Sequence, residues 1–289
     1  MKKLKKDKDV FVIYHRSDAD GFGACFSAWL EFKDKANYLS FDYLNGFPLD
    51  IKGKTVYLLD ISPSSEKLEI LKNNRNRIIL IDHHLSSLKL KNLVDEFVVD
   101  INHSAAVLTF KYFFKKKKVP KLLLYIEDQD LWKFKLPSSE KMNIVIDLLE
   151  NDFEKWQEYM KKIEKEIEFK KIIKQGETLI KYRQYLINQI IPQAVLVKFE
   201  GYNALAVNSS VLISEVGNAL CKKHPPIAII YSLNGKKKKI SLRSDGSVDV
   251  SKIAEKYGGG GHRGAASFVL PLLGWEIFFE EDRCGMVRI

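Results

Sequence analysis

The sequence predicts an α/β fold with an N-terminal parallel-sheet domain, a helical linker and a smaller C-terminal α/β domain. Three observations predict it. Short apolar runs alternate with helix-like segments in the first half, a charged stretch of helical period follows, and strand-like runs then return. Strands that alternate with helices form parallel sheets covered on both faces. The predicted boundaries are 1–150, 151–192 and 193–289.

The first domain is predicted from apolar runs of strand length, most of them followed by a segment with helical spacing. In chain order, the predicted elements are the strand Val10–Tyr14, the helix Phe22–Phe32, the strand Thr55–Leu59, the helix Ser65–Asn73, the strand Arg77–Ile81 and the helix Ala105–Phe114.

The linker is predicted from the charged, helical-period stretch between about Asp152 and Ile191, which Pro192 ends. The second domain follows from strand-like runs and two helix candidates. The sequence Asn234-Gly235 between two of the runs predicts a hairpin, because both residues tolerate positive φ. The runs are Ala194–Phe199, Ala204–Val207, Ile227–Leu233 and Lys239–Arg243.

Composition limits the partners and the compartment. With 47 Lys and Arg against 37 Asp and Glu, the formal net charge is +10, which favours anionic partners such as nucleotides, polyphosphate or nucleic acid. Cys25, Cys221 and Cys284 are far apart, so neither a disulfide framework nor a zinc ribbon is indicated, and a cytoplasmic setting is expected. The apolar run Val10–Tyr14 is too short for a signal peptide or a membrane span.

Acids and histidines follow three successive predicted strands in the first domain. Because the carboxyl ends of parallel strands meet at one edge of the sheet, these side chains are expected to converge there. They are His15, Asp18 and Asp20 after the first strand, Asp60 after the second, and Asp82, His83 and His84 after the third.

This convergence predicts a site for divalent cations. Carboxylates packed together repel one another and lose hydration, and one or two cations compensate for both effects. Carboxylates and imidazoles without thiolates suit Mn²⁺ or Mg²⁺, while zinc stays open. A two-metal centre needs a bridging carboxylate, for which Asp60 is the candidate. Asp18 and Asp20 are two positions apart, so each could serve a different metal.

The motifs Asp82-His83-His84 and His15-Arg-Ser-Asp18-Ala-Asp20-Gly21 resemble those of the DHH phosphoesterase superfamily, and Ile126–Trp132 resembles its fourth motif. The resemblance implies one metal on His15, Asp18 and Asp60, and a second on Asp20, Asp60, His83 and an aspartate of the fourth motif. Asp130 is preferred as that last ligand, with Asp128 as the alternative. The resemblance also places His84 against the substrate phosphate, and Asp82 and His84 are expected to be the catalytic residues.

The second domain carries a separate resemblance. Gly258–Ala266 resembles the GGGH motif of the DHH-associated C-terminal domain, and Ser241–Ser244 resembles the strand before it. Backbone amides of a glycine run can approach an anion closely, and a following helix N-terminus would add a favourable dipole. The expected substrate-binding residues are Gly259, Gly260, Gly261, His262 and Arg243, together with His103, which follows the Asp-His-His strand in the first domain.

The predicted activity is hydrolysis of a phosphoester by water that two divalent cations activate. The resemblance favours end-trimming of short oligonucleotides and leaves open 3′-phosphoadenosine phosphate, cyclic dinucleotides and polyphosphate. A non-catalytic RNA-binding module is the alternative from another class, but clustered carboxylates without metal would repel RNA. The sequence leaves open whether the chain acts alone or as a homodimer.

Overall fold

A computed structural model describes residues 8–16, 18–41, 47–235 and 237–271. The chain divides into two compact units between Ile180 and Lys181. Within the described residues, the first unit holds one five-stranded sheet and the second holds one six-stranded sheet. The predicted α/β class is confirmed.

The sheet of the first unit is parallel throughout, in the order β2-β1-β3-β4-β5. Three of its strands match the predicted ones to within one residue, whereas the two edge strands, β2 and β5, were not predicted. The strands are β1 Val10–His15, β2 Ala36–Phe41, β3 Thr55–Leu59, β4 Arg77–Asp82 and β5 Glu96–Val99.

Helices cover both faces of this sheet. Alternate residues of β1 point to opposite faces, so that Val12 and Tyr14 enter one buried cluster while Phe11 and Ile13 enter another. The helices of this part of the chain are α1 Ala19–Phe32, α2 Ser65–Asn73, α3 Ala105–Phe113, α4 Lys121–Asp130, α5 Ser139–Ile146, α6 Phe153–Ile163 and α7 Glu166–Ile190.

The segment predicted as a linker is helical, but its first helix is a core element. Trp156, Tyr159 and Ile163 of α6 are buried in the same cluster as α1. Burying a side chain of such size stabilises the fold by about 1.5–3 kcal/mol. The division between the units lies inside α7. The linker limits of 151–192 stay a prediction.

The second unit has a mixed sheet in the order β10-β11-β9-β8-β7-β6, in which β7 and β8 are parallel and the other neighbours antiparallel. No helix among the residues described in either unit is long and apolar enough to cross a membrane. The elements are β6 Val195–Phe199, β7 Tyr202–Asn208, α8 Ile213–Lys223, β8 Ile227–Asn234, β9 Lys237–Ser244, α9 Val250–Lys256, β10 Gly260–His262 and β11 Ala265–Pro271.

Three hairpins occur in the described part of this sheet, including one between β10 and β11. The predicted one connects β8 to β9, where Asn234 pairs with Lys237 and Gly235 has a φ of 58°. Another, which was not predicted, connects β6 to β7 through Glu200 and Gly201, whose φ values are 52° and 81°. In this β6–β7 turn both loop residues have the positive φ that suits the strand twist.

The expectation that a helix follows the glycine run is wrong. Gly260–His262 forms β10 and turns back into β11, while α9 ends before the glycines. A Cβ added to Gly259 would lie 2.2 Å from the Ser267 carbonyl oxygen, and one added to Gly261 would lie 2.5 Å from that of Ala265. The glycines therefore permit close strand approach, and a strand follows them where a helix was expected.

Candidate metal centre

The carboxyl ends of β1, β3 and β4 lie side by side and carry the candidate ligands. Tyr14 is in register with Leu59, and Leu59 with Ile81. Asp60 follows Leu59 and Asp82 follows Ile81, so both aspartates lie at the same edge of the sheet. The parallel register brings together groups that are far apart in the sequence.

One group of possible ligand atoms consists of His15, Asp18 and Asp60. His15 Nδ1 lies 2.9 Å from Asp18 Oδ2 and 3.4 Å from Asp60 Oδ2. Position 21 must be glycine for this arrangement, because a Cβ there would lie 2.2 Å from the His15 carbonyl oxygen. The first turn of α1 therefore packs directly beneath His15.

A second group consists of Asp20, His83 and Asp130. His83 Nε2 lies 3.7 Å from Asp20 Oδ2, 3.5 Å from Asp130 Oδ2 and 3.4 Å from Asp60 Oδ1. Asp60 thus has one carboxylate oxygen toward His15 and the other toward His83. This is the position that a carboxylate shared by two cations requires.

Asp60 itself has two features that a cation would explain. Its side chain is buried, and Oδ1 has no hydrogen-bond partner. Leaving a buried charged acceptor unsatisfied costs at least about 1–3 kcal/mol. Its φ is 57°, in the left-handed region that residues with a side chain rarely adopt. The residues present therefore fit a divalent cation.

The electrostatics of the cluster point the same way. Burial and the neighbouring Asp60 carboxylate raise the pKa of Asp20, and burial and Asp20 raise the pKa of Asp130. Burial alone would lower the pKa of His15 and His83, but their carboxylate partners outweigh it and raise each pKa to about 10. Negative charge on Asp20 and Asp130 is therefore unfavourable, and a bound cation would relieve this condition.

Asp20 is positioned by the start of α3. Its two oxygens accept hydrogen bonds from the backbone amides of Ala105 and Ala106, at 2.8 and 2.9 Å. Ser104 caps the same helix through its contact with Val107 N. Amides at a helix N-terminus carry partial positive charge and stabilise an adjacent carboxylate. The sequence predicted the helix but not this contact.

Asp82 and His84 form a pair beside the ligand groups. Asp82 is fully buried, and its Oδ1 lies 2.7 Å from His84 Nδ1. Ser62 donates to Asp82 Oδ2 at 3.1 Å, and Ser87 donates to the same oxygen. Burial would raise the pKa of Asp82, but its partners, His84 first, lower it to about 2. The two serines fix the carboxylate, and the carboxylate fixes the imidazole of His84.

Candidate ligand atoms of Asp82 and His84 also lie close to those of Asp60 and His83.

The structure does not bring Asp128, the alternative ligand of the fourth motif, to this cluster. Its carboxylate accepts hydrogen bonds from the backbone amides of Lys135 and Leu136 at 2.9 and 3.0 Å. These contacts close the turn after α4, in which Trp132 and Phe134 both have positive φ. These contacts favour Asp130 over Asp128 as the candidate ligand, because the oxygens of Asp128 are engaged by backbone amides.

His103 does not belong to the groups of possible metal ligands found in the described part of the chain. Its Nδ1 lies 3.0 Å from Glu127 Oε2, and its Nε2 lies 3.0 Å from Lys111 Nζ. The expected contact of this segment with the site comes instead from the α3 amides that hold Asp20. A substrate-binding role for His103 stays a prediction.

In the second unit, Arg243 is half-buried and positioned by α8 and its own strand. It donates from Nη2 to Ser214 Oγ and from Nη1 to the Leu242 carbonyl oxygen, both at 2.9 Å. A Cβ on Gly217 would lie 2.4 Å from Arg243 Cγ, so this glycine makes room for the arginine. Burial lowers the pKa of Arg243. His262 is exposed on β10, opposite Ala265.

Comparison with known proteins identifies the family. The model of the DHH family, N-terminal domain, matches residues 9–131, and that of the DHHA1 domain matches residues 193–280. The chain is 30% identical to the uncharacterized protein R106 of Acanthamoeba polyphaga mimivirus, over 99% of this chain and 73% of the relative. The chain belongs to the DHH family. As a DHH-family protein, it is a metal-dependent phosphoesterase.

Further relatives of this DHH protein include the oligoribonuclease NrnB of Bacillus subtilis, which is 24% identical over 94% of this chain and 76% of the relative. Two solved structures share its fold with TM-scores of 0.50. A pGpG-specific phosphodiesterase, PggH, from Vibrio cholerae is 13% identical and covers 92% of this chain and 94% of its own. An exopolyphosphatase-related protein from Bacteroides fragilis is 16% identical and covers 90% and 86%.

Proposed function

We propose that this DHH protein trims short oligonucleotides from an end, with two divalent cations, Mn²⁺ in preference to Mg²⁺, at the candidate metal centre. The observation that carries the proposal is Asp60, a buried carboxylate with one oxygen toward His15 and the other toward His83. His15, Asp18 and Asp60 would hold one cation. Asp20, Asp60, His83 and Asp130 would hold the other.

The cations would activate the attacking water and neutralise charge on the phosphoryl oxygens. The residues of the chain do the rest. Asp82 holds Nδ1 of His84 at 2.7 Å, which leaves Nε2 as the atom that carries a proton toward the substrate. From there His84 stabilises the phosphoryl oxygens or protonates the leaving oxygen. Asp82 is then a positioning residue and His84 the catalytic one.

Support for an oligonucleotide substrate comes from the relative named oligoribonuclease, which aligns with 94% of this chain. The net charge of +10 also favours a polyanion. The two solved structures share only the fold, and polyphosphate enters the test as a comparison substrate. In the second unit, we assign Arg243, His262 and Gly259–Gly261 to binding an anionic part of the substrate.

The test is a substrate panel with a matched pair of variants. Purified protein with Mn²⁺ is incubated with a labelled dinucleotide, a cyclic dinucleotide, phosphoadenosine phosphate and polyphosphate. Release is expected to be fastest from the dinucleotide. Asp60→Asn should abolish it, whereas Glu69→Gln, an exposed acid on α2, should leave it unchanged. Full activity of Asp60→Asn would overturn the proposal. Failure to bind any divalent cation by calorimetry would favour the RNA-binding alternative.

A further inference from the structure

A cavity of about 570 Å³ opens next to the candidate metal centre, within the first unit. Asp18, Asp20 and Asp130 line it, and all three belong to the groups of possible metal ligands. The volume falls in the roughly 300–1,000 Å³ range of small-molecule sites. The cavity is therefore large enough for a substrate group several times the size of a phosphate.

The wall contributed by α4, α5 and the loop before α6 carries neutral amides and carboxylates. Gln129 lines it and donates from Nε2 to both Asp147 oxygens at 3.3 Å. Asn143 is almost fully buried and donates to Ser139 Oγ at 3.2 Å, so its amide is fixed in place. Glu150 and Asn151 complete this wall. These groups can accept hydrogen bonds from a ligand as well as donate them.

Apolar side chains support the cavity from behind. Ile126, Ile146 and Trp156 line it but are almost fully buried, and Leu149 is half-buried. The Trp156 ring packs edge-on against Phe22 with 4.7 Å between centroids. The polar side chains therefore provide most of the surface that a ligand could contact.

The charges argue against a phosphate chain as the occupant. Among the described residues that line the cavity, Arg16 is the one basic side chain, and it lies at the sequence position between two candidate ligands, His15 and Asp18. Glu150 is paired with Lys155 at 2.6 Å, and Asp147 adds a further carboxylate. A chain of phosphates would place a negative charge against these acids at every step, whereas an uncharged ring with N–H groups would find acceptors.

We propose that this cavity binds the nucleoside next to the phosphate being cleaved, and that Gln129, Asn143, Asp147 and Asn151 recognise its base or ribose by hydrogen bonds. The proposal rests on the proposed function and narrows the substrate to a nucleotide-containing phosphoester. Inorganic polyphosphate has no N–H or ring that could bond to or pack against these residues.

The test compares two substrates that share a phosphodiester and differ in the nucleoside. Asp147 and Asn151 are exposed, so Asp147→Ala and Asn151→Ala should fold, which thermal melting checks. Each variant should raise KM for a dinucleotide by about tenfold, the usual effect of one lost ligand hydrogen bond, with kcat within about twofold. Hydrolysis of methyl p-nitrophenyl phosphate, which has no nucleoside, should change by less than about twofold.

Asp34→Ala is the matched control, because Asp34 is an exposed acid of the same unit outside the cavity. Equal losses on both substrates, or an unchanged KM for the dinucleotide, would overturn the cavity proposal while leaving the phosphoesterase intact. If the wild-type protein hydrolysed no dinucleotide, the proposed function would fail. Calorimetry with the four nucleoside monophosphates would then decide separately, and absence of binding to all four would overturn the subsite.

Discussion

At the scale of single residues, Asp60 combines burial, a left-handed backbone conformation and an unsatisfied carboxylate oxygen. Each feature is unfavourable for folding, and together they cost about 2–5 kcal/mol. Such a position persists where function requires the geometry. A bound cation would compensate for most of this cost, since it binds only the folded centre.

The first prediction follows from this cost. Asp60→Asn removes repulsion by Asp20 but also attraction to His15 and His83, so the informative quantity is the response to metal. The change should abolish the rise in Tm that Mn²⁺ causes in the wild-type protein. Thermal melting of each protein in EDTA and in Mn²⁺ measures this rise. A variant that still gained stability from Mn²⁺ would contradict the shared role of Asp60.

The second prediction concerns the pair of Asp82 and His84. Asp82→Asn keeps the shape of the side chain but weakens its hold on His84 Nδ1, so kcat should fall by about 10²–10⁴-fold, the range for general acid–base groups. Calorimetric affinity for Mn²⁺ should fall far less than in Asp60→Asn. His84→Ala should lower kcat by a similar factor. The double variant should be no worse than either single one, because the two residues act as one unit.

At the scale of elements, the turn after α4 depends on Asp128. The carboxylate of this buried residue accepts two backbone hydrogen bonds, from Lys135 and Leu136. Asp128→Ala should therefore lower the free energy of unfolding by about 2–4 kcal/mol. Asp128→Asn, which keeps one acceptor, should lose about half as much. Urea unfolding of the metal-free proteins measures the difference without any contribution from cation binding.

Asp249 caps the start of α9. At the end of this helix, Lys256 and Tyr257 both bond to Glu200 in the β6–β7 turn. Tyr257 donates to Glu200 Oε1 at 2.5 Å, and Lys256 pairs with Oε2. These hydrogen bonds lower the pKa of Glu200 below its ordinary value of 4.5. A carboxyl group whose pKa is lowered by folding stabilises the fold above its unfolded-state pKa, and this contribution is lost as the pH falls through the folded-state pKa.

Glu200→Gln should therefore lower the free energy of unfolding at pH 7 by about 0.5–1 kcal/mol, as expected for a partly exposed pair. The difference between variant and wild type should shrink as the pH falls below 4.5, where the wild-type carboxyl becomes protonated. Urea unfolding at several pH values measures it. A difference that stayed constant with pH would show that packing, not charge, is responsible.

At the scale of the whole molecule, the sequence predicted the three inner strands of the first sheet but not its two edge strands. β1, β3 and β4 are apolar runs buried on both faces, and such runs are unambiguous. β2 shows no regular alternation, since Ala36 and Asn37 are both buried and Tyr38 and Leu39 both half-buried, and β5 has only four residues, all half-buried, so neither has a distinctive pattern. Glycine runs are equally ambiguous, since strand contact and anion binding both require small residues.

The candidate site was predictable where the chain carries the ligand at a strand end, as in Asp60 and His83. It was not predictable where the role depends on local backbone geometry. Asp128 and Asp130 lie on the same helix two residues apart. Only the fold shows that the Asp128 carboxylate faces the turn after α4 and that the Asp130 carboxylate faces His83. Likewise, no sequence pattern indicates that the backbone amides of Ala105 and Ala106 bind the Asp20 carboxylate.

That backbone contact has a consequence for how the protein tolerates change. Ala105 is the first residue of α3, a position where proline is ordinarily well accepted because its N–H is not needed inside the helix. In this protein, however, the N–H of Ala105 donates a hydrogen bond to the Asp20 carboxylate, which lies outside α3. Because Ala105 and Asp20 are both buried, Ala105→Pro would leave an Asp20 oxygen without its hydrogen bond and would lower stability and Mn²⁺ binding together. An alanine with no reactive atom of its own therefore links the stability of α3 to the candidate metal centre.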